Sequence, residues 1–314
     1  MKILAPLSSL DELQELLPLG ADEFYFGISE VKHLTELDSL NFRPYNQANF
    51  KSIKDAKEAS RIIHHSKLKC YLTLNDDICS NNIFNDALNL LEEFSCEIDG
   101  IIVTNIALIE EIKDRFPDID IITSTRCHSF NSWNIKFYKD IGANRFTLPH
   151  HLHFEDMIKI LDQFPDTKFD IFVKNEGCLY INGICSYFHN LGSPSINLEK
   201  VSFCKLMKEY GQFYLKDKNK IPTDILASNV AKKHNYSKCY ECKICWMHRL
   251  LQFKDRIIVK ITGRGHPIEN KIRDLVFIKR SLVQLEKADA DMENIVSLHK
   301  EIYHCECLSR CEIT

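Results

Sequence analysis

The sequence predicts a (β/α)8 barrel of the TIM type, with a cysteine-rich insertion between strands 7 and 8. Eight short runs rich in β-branched or aromatic residues recur along the chain, and amphipathic, helix-like segments separate them. Strand–helix alternation at intervals of roughly 20–30 residues favours a parallel sheet. Eight such units are what a closed barrel needs. An open, doubly wound sheet shows the same alternation, so the periodicity leaves it as the alternative.

The elements follow one another in a regular order from the amino terminus. The first predicted strand covers residues 2–6; the helix after it begins at Ser9, which can cap an acidic first turn, and ends at Gly20. The other seven predicted strands are 23–26, 69–74, 100–103, 120–123, 145–148, 169–173 and 256–261. Amphipathic spacing predicts helices between them, among them 84–94, 107–116, 134–141 and 155–164.

The composition is that of a folded globular protein. Of the 314 residues, 45% are hydrophobic and 27% are charged, which argues against a disordered chain. The net charge of −4 provides no general attraction to nucleic acid or to anionic membranes. No stretch approaches the roughly 18 consecutive apolar residues of a membrane span, and the first apolar run is too short for a secretory signal. We therefore expect a cytoplasmic protein without a membrane span.

The interval between the last two predicted strands is far longer than an ordinary connection. It covers residues 176–255. Six of the thirteen cysteines lie in it: Cys178, Cys185, Cys204, Cys239, Cys242 and Cys245. In a barrel, the loop that leaves a strand opens on the carboxyl-terminal face, where barrel enzymes keep their active sites. The predicted organisation is a barrel domain over 1–290 that includes this insertion, followed by a cysteine-containing tail over 291–314.

The cysteines indicate metal chemistry rather than disulfides. Thirteen in a chain of this length are too few for a disulfide scaffold, and clustered cysteines in a cytosolic protein more often bind metal or do redox chemistry. Four thiolates from separate loops can hold a [4Fe-4S] cluster. Zinc is the alternative, bound by the run 239–245 together with Cys305, Cys307 or His248, and unliganded thiols are the third reading. Four scattered cysteines are expected to be core or bystander thiols: Cys70, Cys79, Cys96 and Cys127.

Short motifs occur along the chain in a fixed order. They lie at 4–10, 20–27, 41–43, 71–75, 99–103, 124–125 and 142–145. A stretch from Phe172 to Cys185 contains a pair of cysteines, and the run Lys260-Ile261-Thr262-Gly263-Arg264 follows near the last predicted strand. Together these segments resemble peptidase family U32, the collagenase-like peptidases, over about residues 2–285. The order of the motifs carries the resemblance more than any one of them.

The resemblance implies a barrel that carries a [4Fe-4S] cluster. Similar family members support oxygen-independent hydroxylation of the ubiquinone ring or of RNA bases, with prephenate implicated as the oxygen source for some RNA targets. The family's ligand pattern transfers to Cys178, Cys185, Cys204 and Cys245, with Cys242 or Cys239 as the alternative fourth ligand. We therefore expect an iron–sulfur protein that acts in hydroxylation, or a related redox modification, of a small molecule or an RNA base. A heteromeric partner of the same family is a further expectation.

Two other functions stay open beside this one. The first is an accessory or binding subunit with a structural cluster, and the second is a hydrolase, as the family name implies. The sequence departs from the family near the presumed site, since Pro149-His150-His151 stands where the family usually has an Arg-Glu pair. Fold and cluster therefore transfer more securely than substrate.

Three residues that lie just beyond the ends of predicted strands are the catalytic candidates. His150 and His151 follow the sixth strand, and Arg264 follows the eighth. In a barrel such side chains converge on the carboxyl-terminal mouth. An imidazole can move protons near neutral pH, and a guanidinium can hold a carboxylate or phosphate with two hydrogen bonds. The alternatives are surface loop histidines and an arginine that makes an internal salt bridge. Arg126 is a further candidate for an anion pocket.

Overall fold

The fold is a closed barrel of eight parallel strands in sequence order. The computed structural model describes residues 1–29, 40, 48–76, 80–174, 242–287 and 291–304. The strands are β1 (Lys2–Pro6), β2 (Glu23–Phe26), β3 (Lys69–Leu74), β4 (Gly100–Val103), β5 (Asp120–Thr123), β6 (Arg145–Thr147), β7 (Lys168–Lys174) and β8 (Ile257–Ile261). Strand β1 pairs with β8, with Ile3 opposite Val259. This pairing confirms the predicted barrel and excludes the doubly wound sheet, whose first and last strands would lie on open edges.

Helices surround the barrel. In the described part of the chain they are α1 (Leu10–Leu16), α2 (Ile53–His65), α3 (Asn81–Phe94), α4 (Ile106–Arg115), α5 (Ser132–Asp140), α6 (Phe154–Gln163), α7 (Trp246–Arg249), α8 (Ile268–Leu285) and α9 (Met292–Tyr303). Apolar residues of these helices and of the outward strand positions form one continuous core. The barrel interior holds a second, smaller apolar cluster: Leu4, Tyr25, Tyr71, Ile102, Ile122 and Ile258.

Polar caps explain the two helix starts that differ most from the predicted ones. Helix α3 begins at Asn81 rather than at 84, because the Ser80 hydroxyl accepts the backbone N–H of Ile83 at 3.4 Å. Helix α5 begins at Ser132 rather than at 134, because the Asn131 side chain accepts the N–H of Asn134 at 3.0 Å. Such a cap satisfies a backbone donor that has no partner within the helix. Apolar periodicity alone does not detect these first turns.

Two segments singled out in the sequence are described in part. Of the insertion, the structure describes 242–255, and Cys178, Cys185, Cys204 and Cys239 lie outside the described residues. Of the tail, residues 291–304 are described, and they form α9, which packs on α8 through a 2.6 Å hydrogen bond from the Tyr303 hydroxyl to Asp274. The division into barrel and tail stays a prediction. Within the described ranges, no helix combines the length and apolar character needed to cross a bilayer.

Candidate functional site

Arg264 lies just beyond the carboxyl end of β8, buried with 5% of its surface exposed. Its NH1 donates to the Asn49 side-chain oxygen at 3.0 Å and to the Thr73 hydroxyl at 2.6 Å. Gly27 makes room for this group, because a Cβ at that position would lie 2.1 Å from NH1. The side-chain oxygens of Asn49 and Thr73 therefore fix the position of the guanidinium, and Gly27 leaves the space that it occupies.

The loop that carries Arg264 is held by contacts with α1 and α8. Gly263 adopts a positive φ of 104°, a conformation that favours glycine. Lys271 on α8 donates to the backbone oxygen of Arg264 at 2.5 Å and to the carboxylate of Glu12 at 2.8 Å. Burial lowers the pKa of Lys271, and Glu12 acts in the opposite direction. The end of β8 is thereby tied to α1 and α8.

A second guanidinium lies at the same end of the barrel, after β5. Arg126 is 5% exposed, and its NH1 donates to the backbone oxygen of Asn75 at 3.1 Å. Asn75 directly follows the end of β3, and Thr73, which contacts Arg264, lies within that strand. Because Leu74 alone separates these two contact points, the carboxyl end of β3 brings both guanidinium groups to one mouth.

The rings of the two candidate histidines contact each other after β6, tilted by 42°. Their ring centroids are 3.6 Å apart, and His150 is 5% exposed. The Lys243 ammonium donates a hydrogen bond to the backbone oxygen of His150. The alternative of an exposed loop histidine is therefore excluded for His150, which is buried. We call Arg126, His150, His151 and Arg264 the mouth cluster.

The segment 242–246, which returns from the insertion, lies beside the mouth cluster. Cys242 forms an antiparallel bridge with Lys174 at the end of β7, and the Lys243 N–H donates to Val173 at 2.8 Å. Cys245 is 8% exposed and directly precedes α7, where Trp246 packs edge-on against Phe154 at 5.4 Å. Two cysteines with soft sulfur donors thus lie at the mouth. Thiolate sulfur is a donor that iron–sulfur clusters and zinc take, but Cys245 packs within the apolar core. The predicted ligand set stays a prediction because its other members lie outside the described residues.

Charged side chains fill the barrel beneath the mouth. Arg145 contacts Asp170 at 2.5 Å and Glu23 at 2.7 Å, and Lys260 contacts Asp170 at 3.2 Å. All four side chains are at most 5% exposed. Burial raises the pKa of Asp170, but Arg145 and Lys260 lower it by more, so its net direction is downward. Burial lowers the pKa of Lys260, with Asp170 acting against it.

Sequence reasoning missed this interior charge network. A signal was present, because Arg145, Asp170 and Lys260 lie within or at the start of short strands otherwise made largely of apolar residues. A charged residue in such a strand marks an inward position that needs a partner. The partners themselves come from strands far apart in the chain, so the sequence alone does not pair them.

Comparison with known proteins gives one family and one fold. A model of peptidase family U32 matches residues 8–301. A solved U32 peptidase has a TM-score of 0.51 and 13% sequence identity, and the match covers 84% of this chain and 94% of that one. At that identity the likeness shows the fold alone. It agrees with the closed barrel.

Two curated relatives carry the same name, tRNA hydroxylation protein P. The protein from Haemophilus influenzae is 27% identical over 187 residues, which cover 59% of this chain and 38% of that protein. The protein from Escherichia coli is 23% identical over 188 residues, with 59% of this chain and 38% of that protein covered. The match therefore spans less than half the length of these curated relatives.

Proposed function

Because the chain belongs to peptidase family U32, we propose that it is an iron–sulfur protein acting in an oxygen-independent hydroxylation. The substrate is an RNA base or a small molecule. The names of two relatives, both tRNA hydroxylation protein P, support a role related to hydroxylation and favour RNA. The observation that carries the proposal is that Lys243, which lies between Cys242 and Cys245 in the chain, donates to the backbone oxygen of His150. Cys242 itself bridges Lys174 at the carboxyl end of β7.

The cysteines proposed to hold the cluster are Cys178, Cys185, Cys204 and Cys245, with Cys242 or Cys239 as the alternative to Cys245. A [4Fe-4S] cluster supplies one-electron transfer when it is bound. Lys243 holds the segment that carries Cys245 by donating to His150 and by lying 4.7 Å from the centroid of the Trp246 ring. The barrel residues therefore position a ligand, and zinc at the same thiolates is the alternative metal.

The mouth cluster is proposed to bind and orient the substrate. Arg126 and Arg264 bind an anionic group, which is a phosphate in RNA or a carboxylate in a small molecule. His150 and His151 hold or move a proton beside that group, since an imidazole titrates near neutral pH. Burial of Arg264 and Arg126 excludes water and strengthens these contacts.

An accessory role is the second candidate, and one observation favours it. Arg264 already donates to Asn49 and Thr73, and the backbone of His150 is held by Lys243. Groups held so firmly by the protein can be structural. In that case the cluster is structural too, and a partner of the same family carries out the chemistry. The hydrolase reading rests on the family name.

Three substitutions separate these functions. His151→Ala and Arg264→Ala should keep the iron and the visible absorption of anaerobically purified protein, yet abolish a modified nucleoside or metabolite in cells. Cys185→Ala should lose both. His153→Ala is the matched control, because this histidine is exposed and makes no side-chain cap contact. If the His151, Arg264 and double variants leave every product intact, the mouth is not catalytic and the accessory role replaces the proposal. A colourless protein with stoichiometric zinc would replace the cluster.

A further inference from the structure

Three potential ligand side chains meet at the amino-terminal end of the barrel, opposite to the mouth. His64 is the penultimate helical residue of α2 before the turn to β3, Cys70 is the second residue of β3, and Asp99 directly precedes β4. His64 Nε2 lies 3.0 Å from Asp99 Oδ2 and 3.7 Å from Cys70 Sγ. All three donor atoms lie within 4.8 Å of one another. We call this group the α2–β3–β4 triad.

These distances match a tetrahedral zinc ion. Zinc binds sulfur at about 2.3 Å and imidazole nitrogen or carboxylate oxygen at about 2.0–2.2 Å. At the tetrahedral angle, such bonds separate nitrogen from oxygen by about 3.3 Å and nitrogen from sulfur by about 3.6 Å. The triad shows 3.0 Å and 3.7 Å. Binding the ion replaces the hydrogen bond between His64 and Asp99 and opens their nitrogen–oxygen separation by about 0.3 Å. The sulfur of Cys70 and the carboxylate of Asp99 already lie within 4.8 Å of each other.

The backbone holds the three groups in place independently of a metal. The N–H of Cys70 donates to Asp99 Oδ2 at 2.9 Å, which orients the carboxylate. Lys67 adopts a positive φ of 59° in the turn between α2 and β3, and this turn brings His64 back beside Cys70. Contacts of this kind orient ligands in metal sites.

The triad also offers a route for an ion and room for a fourth ligand. The Cys70 side chain is buried, while the side chains of His64 and Asp99 are 35% and 22% exposed. An ion can therefore enter from the side of His64 and Asp99 and keep a water as its fourth ligand. The thiol proton of Cys70 leaves to solvent when the ion binds.

The geometry points to a zinc site formed by His64, Cys70 and Asp99. It clamps α2 to β3 and β4 at the face of the barrel that supports stability, and it is separate from the cysteines of the insertion. The triad exists only in the folded chain, so zinc bound there favours the folded state. Added zinc therefore raises the free energy of unfolding by mass action.

The test compares variants of the full chain that keep every cysteine of the insertion and tail. Zinc content is measured after equilibrium dialysis, and the rise in unfolding temperature with added zinc is measured in parallel. His64→Gln, Asp99→Asn and Cys70→Ser remove the ligands. His65→Gln and Cys96→Ser are matched controls, since both residues are exposed, next to or near the triad, and outside it.

Each ligand variant should bind one zinc fewer per chain than wild type, and its zinc-dependent rise in unfolding temperature should shrink, while both controls match wild type. The affinity of the triad should fall by more than the ~10–100-fold typical of losing an outer-shell partner. Equal zinc content in His64→Gln, Asp99→Asn and wild type would overturn the inference. The three side chains would then form hydrogen bonds with one another and bind no ion. These two variants decide even if Cys70→Ser fails to fold. Repeating the comparison in a Cys185→Ala background separates this result from the fate of the iron–sulfur proposal.

Discussion

The guanidinium of Arg145 and the carboxylate of Asp170 form an ion pair in the middle of the barrel, with Nε 2.5 Å from Oδ1. Neither side chain is more than 4% exposed. Arg145 also reaches Glu23, and Asp170 also reaches Lys260. Two cations and two carboxylates therefore balance one another where water has little access. Such a network is stable only when every member is present, because removal of one leaves a buried charge without compensation.

Replacing Arg145 with methionine should destabilise the protein strongly. The substitution leaves Asp170 with Lys260, and it leaves the buried carboxylate of Glu23 with only the exposed Lys2, 3.9 Å away. Breaking a buried pair in this way costs about 3–5 kcal/mol, which urea-induced unfolding measures as a lower free energy of unfolding. Arg280→Met, which removes an exposed pair with Glu301, is the control and should have a much smaller effect. Equal effects for the two variants would mean that the interior network contributes no more than a surface pair.

The same network should make stability depend on acidity. The pKa of Asp170 lies below its ordinary value of 3.8 in the folded chain, because Arg145 and Lys260 outweigh the effect of burial. Between the native and the unfolded pKa the unfolded chain binds more protons, so the free energy of unfolding falls as pH falls. The difference in the free energy of unfolding between wild type and Asp170→Asn should be largest near pH 7 and should become smaller below about pH 4. Urea unfolding at a series of pH values checks it. A difference that stays constant down to about pH 2 would contradict the ionised-pair explanation.

Gly27→Ala should displace the Arg264 guanidinium. The added Cβ would lie 2.1 Å from NH1 and 2.2 Å from the Asn49 side-chain oxygen, so these groups must move. Forcing an extra methyl group into such a packed position costs about 1–3 kcal/mol. Loss of the cellular product that depends on Arg264 should accompany this cost. Gly265→Ala is the matched control, because its Cβ would approach Ala48 at an ordinary 3.4 Å. Should both variants keep the product, the position of Arg264 is not needed for function.

Lys243→Met should weaken retention of the proposed cluster. The ammonium of Lys243 donates to the backbone oxygen of His150 and lies 4.7 Å from the centroid of the Trp246 ring. Cys245 lies between Lys243 and Trp246 in the sequence, so these contacts fix the segment that carries it. Losing a group that positions a metal ligand typically lowers affinity about 10-fold or more. Iron per chain after anaerobic desalting measures the effect. Lys254→Met removes an exposed lysine in the described part of the insertion, 242–255, and should leave the iron unchanged. Equal iron in the two variants would show that Lys243 does not position a ligand.

Much of the fold could be predicted from the sequence because the relevant signals are local. The bounds of β1 to β5 agree with the predicted strands to the residue, and β8 begins one residue later than predicted. The placement of the insertion after β7 and of Arg264 after β8 follows from the same order of elements. The starts of α3 and α5 differ from the predicted ones because Ser80 and Asn131 cap an extra turn, which apolar periodicity does not register.

The sequence by itself determined the eight-unit alternation, the order of the motifs and the candidates His150, His151 and Arg264 at strand ends. The tertiary structure alone decided that β1 pairs with β8, and that Arg145 meets a carboxylate 122 residues away. It also decided that His64, Cys70 and Asp99 meet at the opposite end of the barrel. The reason is physical. Local patterns report the state of each segment, whereas the partner of a buried charge or a ligand is set by strand register and barrel closure, which act between residues distant in the chain.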